Sequence, residues 1–487
     1  MSVVRFARTN SKGRKRGRKH KQRTRIMEKI IDTIKLLSGD VSQNLIDKFL
    51  SNAVTKLWTE YIMDIETIIK TKVDSLKFSI PNASVKKEYH IEIPFNVEDV
   101  SEFLLEGLEE TGLNAEKTDN GYIISGTPVK SGTFPLVMKY RYEGCLLGKS
   151  LEKKFDLIIN PDPRDLWKDL PVPEDIEYPK KNEDKQYVKV TALDGTPRKD
   201  IVAASKRGRS HANEGKPRDD DFKLYHNDEN DWYVIAVADG AGSAKYSREG
   251  SRIACETAVN HCINELKNCE IFEENIQQYN LFKDDSESEA RKYVGDDIYK
   301  IIGAAAFKAH KAIDNEADNK GVASKLYATT LLLAIAKKFN FGWFVASFWV
   351  GDGAICLYTE DKNGEQPKST LLGVPDEGEY AGQTRFLTMP EIFKDSTSLY
   401  KRLRFRIVDD FTALMLMTDG VSDPWFETDS NLNNPEKWQK FYQEIQDNKE
   451  HPVLLDDDNE QAAQQLLDWL DFWSPGNHDD RTIAILY

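Results

Sequence analysis

The sequence predicts an α+β fold, and two features of its C-terminal part carry this prediction. From about residue 197 onward, apolar runs of strand length are interspersed with stretches that have helical spacing. Neighbouring apolar runs, such as the two within 331–349, follow each other closely enough to pair as antiparallel strands. Antiparallel strand pairs mixed with helices favour packed α+β layers over a doubly wound parallel sheet.

The predicted elements of this region follow from local periodicity. Short apolar runs predict strands at 232–238, 328–336, 342–350, 413–418 and 482–486. Apolar residues that recur at three- and four-residue intervals predict helices at 245–268, 293–318, 434–448 and 458–472. We therefore expect one folded domain over 197–487.

Residues 80–160 show a different pattern, in which apolar and polar residues alternate. The alternation along 89–93, 134–142 and 155–159 predicts half-buried strands of a small β-sandwich. The phrase S-G-T-P at 125–128, followed by S-G-T-F at 131–134, resembles the signature of immunoglobulin-like modules. That resemblance implies a module that binds or spaces and does not catalyse.

Three further segments complete the predicted organisation. Helical periodicity on both sides of the Ser-Gly-Asp break at 38–40 predicts a helical hairpin over 26–78. Residues 161–196 are rich in Pro, Asp and Lys, which predicts a linker. Residues 1–25 contain eleven Lys/Arg and no Asp/Glu, which predicts a disordered basic tail.

The net charge of −14 is unevenly distributed, because the tail is basic and the remainder is acidic. The tail could bind nucleic acid or an acidic surface, although a solvated tail is the simpler interpretation. No apolar run approaches the roughly 18 residues of a membrane span, and no apolar stretch with a cleavage site follows the basic N-terminus. We expect a cytoplasmic protein without membrane association, and nucleic-acid binding only through the tail.

Carboxylates stand beside the apolar runs of the C-terminal part. An Asp-Gly pair follows a run at Asp239, Asp352 and Asp419, while Asp220 and Asp479 precede one. A single Asp-Gly is usually an ordinary turn, but this set in one region is hard to explain in that way. If the strands converge, the charges repel at close range unless cations bind between them. Oxygen ligands favour Mg²⁺ or Mn²⁺ over zinc.

In this order the motifs resemble those of the protein phosphatase type 2C family, the metal-dependent protein phosphatases, in its bacterial branch. The stretch G-R-S-H-x-x-x-G-x-P-x-x-D-x-F at 208–222 resembles the opening motif of that branch. The resemblance covers about 200–487 and implies a four-layer α-β-β-α sandwich. It also implies two metal ions, Mn²⁺ or Mg²⁺, and a third, weaker ion associated with Asp352. The other metal ligands that it implies are Asp220, Asp239, the carbonyl of Gly240, Asp419 and Asp479.

The sequence departs from the family pattern at two positions. Ala241 stands where the animal enzymes have a histidine that is proposed as a general acid. Gly215 stands where the family has its phosphate-binding arginine. His211, Arg209 or Arg218 could replace that arginine, and the place of His211 in the motif makes it the first candidate for a catalytic role.

The resemblance implies hydrolysis of phosphoserine and phosphothreonine in proteins by water that two metal ions activate. The substrate would be a phosphoprotein, and the setting a bacterial signalling system in which a Ser/Thr kinase is a candidate partner. The alternative is a catalytically silent, phosphatase-like scaffold that binds a phosphoprotein or a kinase. Retention of Asp220, Asp239, Asp419 and Asp479 favours the enzyme.

Overall fold

The computed structural model describes residues 28–29, 31–33, 36, 42–143, 149–191, 198–285, 287–360, 366–376 and 384–487. The chain divides into two compact units, Met1–Leu166 and Trp167–Tyr487. The basic tail 1–25 and the predicted break at 38–40 lie outside the described residues. None of the described helices is both long enough and apolar enough to cross a membrane.

The described residues of the first unit include one long helix and seven strands. They are α1 (Gln43–Ser75), β1 (Ala83–Ser84), β2 (Tyr89–Pro94), β3 (Val100–Glu106), β4 (Leu113–Thr118), β5 (Gly121–Gly126), β6 (Gly132–Tyr142) and β7 (Leu151–Asn160). The strands form a four-stranded sheet in the order β1-β7-β6-β3 and a three-stranded sheet in the order β2-β5-β4. Helix α1 corresponds to the second arm of the predicted hairpin, and the hairpin itself stays a prediction.

Alternation along the strands gives this unit its core. Leu136, Met138 and Tyr140 of β6 are buried, and the residues between them are more exposed. They share one apolar cluster with Ile69 of α1 and Ile124 of β5, so both sheets and the helix contribute to it. The expected β-rich region is confirmed, while its assignment as an immunoglobulin-like module stays a prediction.

The second unit is built from eleven strands and nine longer helices, counted over its described residues. The strands are β8 (Glu183–Val188), β9 (Ile201–Lys206), β10 (Asp221–His226), β11 (Tyr233–Ala238), β12 (Leu331–Phe339), β13 (Gly342–Val350), β14 (Ala354–Thr359), β15 (Lys368–Gly373), β16 (Leu403–Val408), β17 (Ala413–Met417) and β18 (Arg481–Leu486). The helices are α2 (Arg209–Glu214), α3 (Ser247–Glu265), α4 (Glu270–Phe282), α5 (Ala290–Ile298), α6 (Ala304–Lys320), α7 (Ser396–Tyr400), α8 (Asp419–Phe426), α9 (Pro435–Asp447) and α10 (Ala462–Trp469).

These elements form four layers. A five-stranded sheet, β10-β11-β12-β13-β16, faces a six-stranded sheet, β15-β14-β17-β18-β9-β8, and all their pairings are antiparallel. Ile235 and Leu332 of the first sheet pack against Leu414 of the second. Helices α3 to α6 cover the outer face of the first sheet, and α8 to α10 cover that of the second. The predicted α+β class and its four-layer arrangement are confirmed.

The structure differs from the predicted linker 161–196 in one respect. Residues Glu183–Val188 form β8, the edge strand that pairs with β9. The sequence of this strand has no apolar run, because an edge strand does not need one and charged residues are common there. The remaining domain boundaries stay predictions.

Close packing of α3 against the turn before β12 gives a test of this fold. A Cβ atom at Gly250 would lie 2.0 Å from the carbonyl oxygen of Tyr327. We therefore expect Gly250→Ala to lower the free energy of unfolding by roughly 1–3 kcal/mol, because the two elements must separate.

A matched control is Gly295→Ala in α5, where an added Cβ would meet no atom within 4 Å. This change should be neutral or stabilise by up to about 1 kcal/mol, because alanine is the better helix former. Urea unfolding of both full-length variants measures the difference. Equal stabilities would contradict the packing described for α3.

Candidate metal centre

The antiparallel pairing brings five carboxylates together where strands of the two sheets begin or end. Asp239 follows β11, and Asp220 precedes its neighbour β10, so the two residues lie at the same end of that strand pair. Asp419 follows β17, and Asp479 precedes the neighbouring antiparallel strand β18, so these two residues also lie at the same end of their strand pair. Asp352 follows β13. We call these five residues the carboxylate cluster.

Within the carboxylate cluster, three side chains form the tightest group. A carboxylate oxygen of Asp239, one of Asp352 and one of Asp419 all lie within 4.8 Å of one another. Asp220 lies close enough to Asp239 for its negative charge to help raise the pKa of Asp239. Asp479 is exposed at the rim, where its negative charge raises the pKa values of both Asp239 and Asp419. The structure thus brings together the five aspartates predicted from the sequence.

Burial and mutual repulsion change the proton affinity of these groups. Burial, followed by the charge of Asp419, raises the pKa of Asp239 well above its ordinary value. Burial and the charge of Asp352 do the same for the pKa of Asp419. Burial and the charge of Asp480 raise the pKa of Asp220 to about 7. Among the described residues, no lysine or arginine forms an ion pair with a member of the carboxylate cluster, so this repulsion is not offset there.

Two oxygens of the carboxylate cluster are buried and have no hydrogen-bond partner among the described residues: Oδ1 of Asp220 and Oδ1 of Asp352. The other oxygen of Asp220 accepts hydrogen bonds from Thr418 (3.0 Å) and Thr482 (2.7 Å), which fixes the carboxylate and leaves one oxygen free. Buried polar atoms without a partner are rare in folded proteins. An all-oxygen donor set with free acceptors fits a hard divalent cation such as Mg²⁺ or Mn²⁺.

The turn after β11 is held by residues that precede β12. The hydroxyl of Thr329 donates to the carbonyl oxygen of Asp239 (2.8 Å), and the amide of Asp239 donates to the hydroxyl of Thr330 (2.8 Å). A Cβ atom at Gly240 would lie 2.6 Å from the carbonyl oxygen of Asp219, so only glycine fits there. The role of the Gly240 carbonyl as a metal ligand stays a prediction.

His211 lies beside the carboxylate cluster in a second group of polar side chains. Its Nδ1 is 3.0 Å from Oδ2 of Asp480, and its Nε2 is 3.7 Å from Oδ2 of Asp219. Burial opposes protonation of the imidazole, but the hydrogen bond and charge of Asp480 outweigh it and raise the pKa of His211 to about 9. Asp480 also accepts hydrogen bonds from the backbone amides of Gly208 and Asp219, each 2.6 Å long. A charged His211 and Asp480 thus tie the loop before Asp220 to the residues before β18.

The two predicted phosphate-binding arginines are placed elsewhere. Arg209 donates to the carbonyl and to the carboxylate of Asp471, and its guanidinium lies over the ring of Trp473. Arg218 is buried, donates to the carbonyl of Ser205 (2.9 Å), and is 3.9 Å from Asp184. Their described ion pairs include no member of the carboxylate cluster. The catalytic and phosphate-binding roles given to His211, Arg209 and Arg218 stay predictions.

Sequence reasoning missed several residues of this region. Asp423 lies one helical turn after Asp419 in α8, and burial followed by the charge of Asp352 raises the pKa of Asp423 to about 6. The four-residue spacing to Asp419 at a predicted strand end was the available signal. Thr418 and Thr482 lie in the motifs of Asp419 and Asp479, but their contacts with Asp220 have no sequence signal, because they join distant parts of the chain.

Comparison with protein families gives a match within the second unit. Residues 207–471 match the family model described as protein phosphatase 2C. Comparison with curated proteins gave no match.

Three solved structures resemble the chain at low identity. A serine-threonine phosphatase 2C from Toxoplasma gondii is 14% identical with a TM-score of 0.38, and the match covers 62% of this chain and 98% of that one. A serine/threonine phosphatase from Mycobacterium tuberculosis is 16% identical with a TM-score of 0.32, over 59% and 97% of the two chains. A C. elegans sex determining protein is 13% identical with a TM-score of 0.35, over 59% of this chain and 64% of that chain, which is less than two thirds of its length.

The repulsion within the carboxylate cluster predicts how metal removal affects stability. Asp220 has an ordinary pKa of 3.8 and a folded-state pKa of about 7, so the folded state binds protons more tightly than the unfolded state. The free energy of unfolding of chelator-treated protein should therefore fall as the pH rises from about 4 to 8, by on the order of a few kcal/mol. Urea unfolding at several pH values measures this slope, which Mn²⁺ or Mg²⁺ should reduce.

Asp239→Asn should have opposite effects on the stability of the metal-free and the metal-bound protein. Removal of one buried negative charge should stabilise the chelator-treated protein at pH 8 and weaken the stabilisation that added Mn²⁺ gives. Asp447→Asn, which changes an exposed residue of α9, is the control and should alter neither quantity. If Mn²⁺ stabilised the Asp239→Asn protein as strongly as the wild type, the carboxylate cluster would not be the metal site.

Proposed function

The chain belongs to the protein phosphatase 2C family, and we propose that it is a metal-dependent phosphatase that hydrolyses phosphoserine and phosphothreonine in proteins. The observation that carries this proposal is the convergence of Asp239, Asp352 and Asp419 within 4.8 Å, with unsatisfied buried oxygens beside them. Members of the family use Mn²⁺ or Mg²⁺. The donor set of this chain fits both ions.

The residues that would hold the ions are those of the carboxylate cluster. Asp220, Asp239, Asp419 and Asp479 would share two cations, with the carbonyl of Gly240 as a further ligand. Asp352 would hold a third and weaker ion. Two bound divalent cations would supply the Lewis acidity that activates a water molecule for attack on phosphorus and that offsets charge on the phosphoryl oxygens.

The protein's own contribution is to hold these groups in place before the substrate binds. Thr418 and Thr482 orient the carboxylate of Asp220, and Thr329 orients the backbone of Asp239. Such supporting hydrogen bonds fix ligand orientation and metal affinity. The ion pair of His211 and Asp480 is neutral overall, and it holds the loop that leads to Asp220.

A nucleophilic cysteine is the other route to phosphoester hydrolysis, and the described cysteines do not support it. Cys255, Cys262, Cys269 and Cys356 are all buried. Burial raises the pKa of each of these thiols, and that of Cys269 reaches about 12. Buried cysteines of this kind are inert as nucleophiles.

The wider biological setting is also part of the proposal. We place the protein in a cytoplasmic signalling system, with a phosphoprotein as substrate and a Ser/Thr kinase as the candidate partner. The bacterial assignment rests on the resemblance of residues 208–222 to the opening motif of that branch. The β-rich first unit would serve recognition, and the basic tail could add attraction to anionic partners.

The first test of function is metal-dependent activity. The full-length protein should hydrolyse phosphoserine and phosphothreonine peptides in the presence of Mn²⁺ or Mg²⁺, and chelator should abolish the reaction. Release of phosphate measures the rate. Binding of the phosphopeptide without turnover, at saturating metal, would instead support the silent scaffold.

The second test separates the ligands. Asp239→Asn and Asp419→Asn should each lower kcat/KM by roughly 100-fold or more, because each removes charge from the central cations. Asp352→Asn should weaken binding of the two central cations less than Asp239→Asn and Asp419→Asn do, and it should still reduce turnover. Asp447→Asn should retain wild-type kcat/KM. Near-normal rates for all three cluster variants would show that the chemistry occurs elsewhere.

A further inference from the structure

The second unit contains a cavity whose lining is strongly basic. It lies between the segment that enters β8, the start of β10 and one face of α3, and its volume is about 400 Å³. Its lining includes no residue of the carboxylate cluster. The basic side chains that line it are Lys180, Lys181, Lys185, Arg218, Lys223 and Arg252, against three acidic ones.

The acidic side chains neutralise only part of this positive charge. Asp221 pairs with Lys180 at 2.8 Å, and Glu256 pairs with Arg252 at 2.6 Å. In the described part of the chain, no carboxylate lies within ion-pair distance of Lys181 or Lys223, and both lysines are exposed. The cavity therefore keeps an excess of positive charge at its mouth.

Arg218 brings a buried charge to the same cavity. Its side chain is 1% exposed, and the third acidic residue, Asp184, is 3.9 Å from it and half-exposed. One guanidinium nitrogen donates to the carbonyl of Ser205, but Nε is buried and has no hydrogen-bond partner among the described residues. A buried N–H of a charged group without an acceptor is costly, and an anionic oxygen would satisfy it.

The cavity and the carboxylate cluster lie on opposite sides of one short segment. Asp220 turns toward Thr418 and Thr482 of the six-stranded sheet, while the next residue, Asp221, pairs with Lys180 at the cavity. Successive residues of an extended chain point to opposite sides. An anion in the cavity would thus be separate from a substrate phosphate at the metal centre.

We propose that this cavity is a second anion site that binds a phosphate-type oxyanion. A guanidinium with a free donor and two lysines without acidic partners match a doubly charged phosphate better than a singly charged carboxylate. The volume falls within the range of small-molecule and side-chain pockets. The phosphate could come from free inorganic phosphate or from a phosphorylated side chain of a bound protein segment.

The test is phosphate binding by chelator-treated, full-length protein, because without divalent cations the carboxylates of the metal centre repel phosphate. Calorimetric titration with inorganic phosphate, at constant ionic strength set by chloride, should show one site in the wild type. The double variant Lys181→Ala/Lys223→Ala should bind at least about tenfold more weakly. Lys440→Ala/Lys449→Ala, which removes the same charge from exposed positions of another surface, should bind like the wild type.

A second set of measurements distinguishes free phosphate from a phosphorylated protein segment as the ligand. It also shows whether weaker binding by a variant results from misfolding. A phosphoserine peptide that displaces inorganic phosphate, when its unphosphorylated form does not, identifies a phosphorylated segment; failure of both peptides to displace it identifies free phosphate. Arg218→Lys should keep the charge and still weaken binding severalfold, because lysine lacks the fork of donors. Metal-dependent hydrolysis of a small aryl phosphate should be unchanged in Lys181→Ala/Lys223→Ala.

Three results would overturn the proposal. They are the absence of phosphate binding in chelator-treated wild type, equal binding by Lys181→Ala/Lys223→Ala and wild type, and equal loss of binding in the Lys440→Ala/Lys449→Ala control. The binding measurement needs no catalysis, so its outcome is independent of whether the protein proves to be a phosphatase.

Discussion

Repulsion among buried carboxylates is the constraint on which the second unit depends. Asp239 and Asp419 can share a small volume only because the packed sheets fix the strands that end at them. Burial and proximity then raise the pKa values of both carboxyl groups. Among the described ion pairs, no lysine or arginine reaches either residue, so the described residues supply no counter-charge to them. A hard divalent cation is the species that such an oxygen-rich site selects.

Several residues around the carboxylate cluster are hydrogen-bonded, whereas two buried oxygens of the cluster have no hydrogen-bond partner among the described residues. Thr418 and Thr482 each hydrogen-bond Asp220, and Thr329 hydrogen-bonds the backbone of Asp239. Asp480 accepts three hydrogen bonds, and the one from His211 lowers its pKa despite its complete burial. This arrangement keeps the carboxylate oxygens in position at the expense of local electrostatic stability, which is common at functional sites.

The same segment shows how adjacent residues acquire different roles. Asp219, Asp220 and Asp221 form one acidic run in the sequence, yet Asp219 faces His211, Asp220 joins the carboxylate cluster and Asp221 pairs with Lys180. Arg218, which directly precedes this run, lines the basic cavity. Residue type and spacing place these side chains near the start of a strand. They do not show which side of the strand each side chain faces.

The sequence by itself determined the α+β class, the apolar strands and the set of aspartates at their ends, because alternation and Asp-Gly turns are local signals. Tertiary structure decided the rest. The edge strand Glu183–Val188, the hydrogen bonds of Thr482 and the pairing of His211 with Asp480 all join residues that are distant in the chain. Such contacts have no local signature, since they depend on which strands become neighbours and on which side chains burial then forces together.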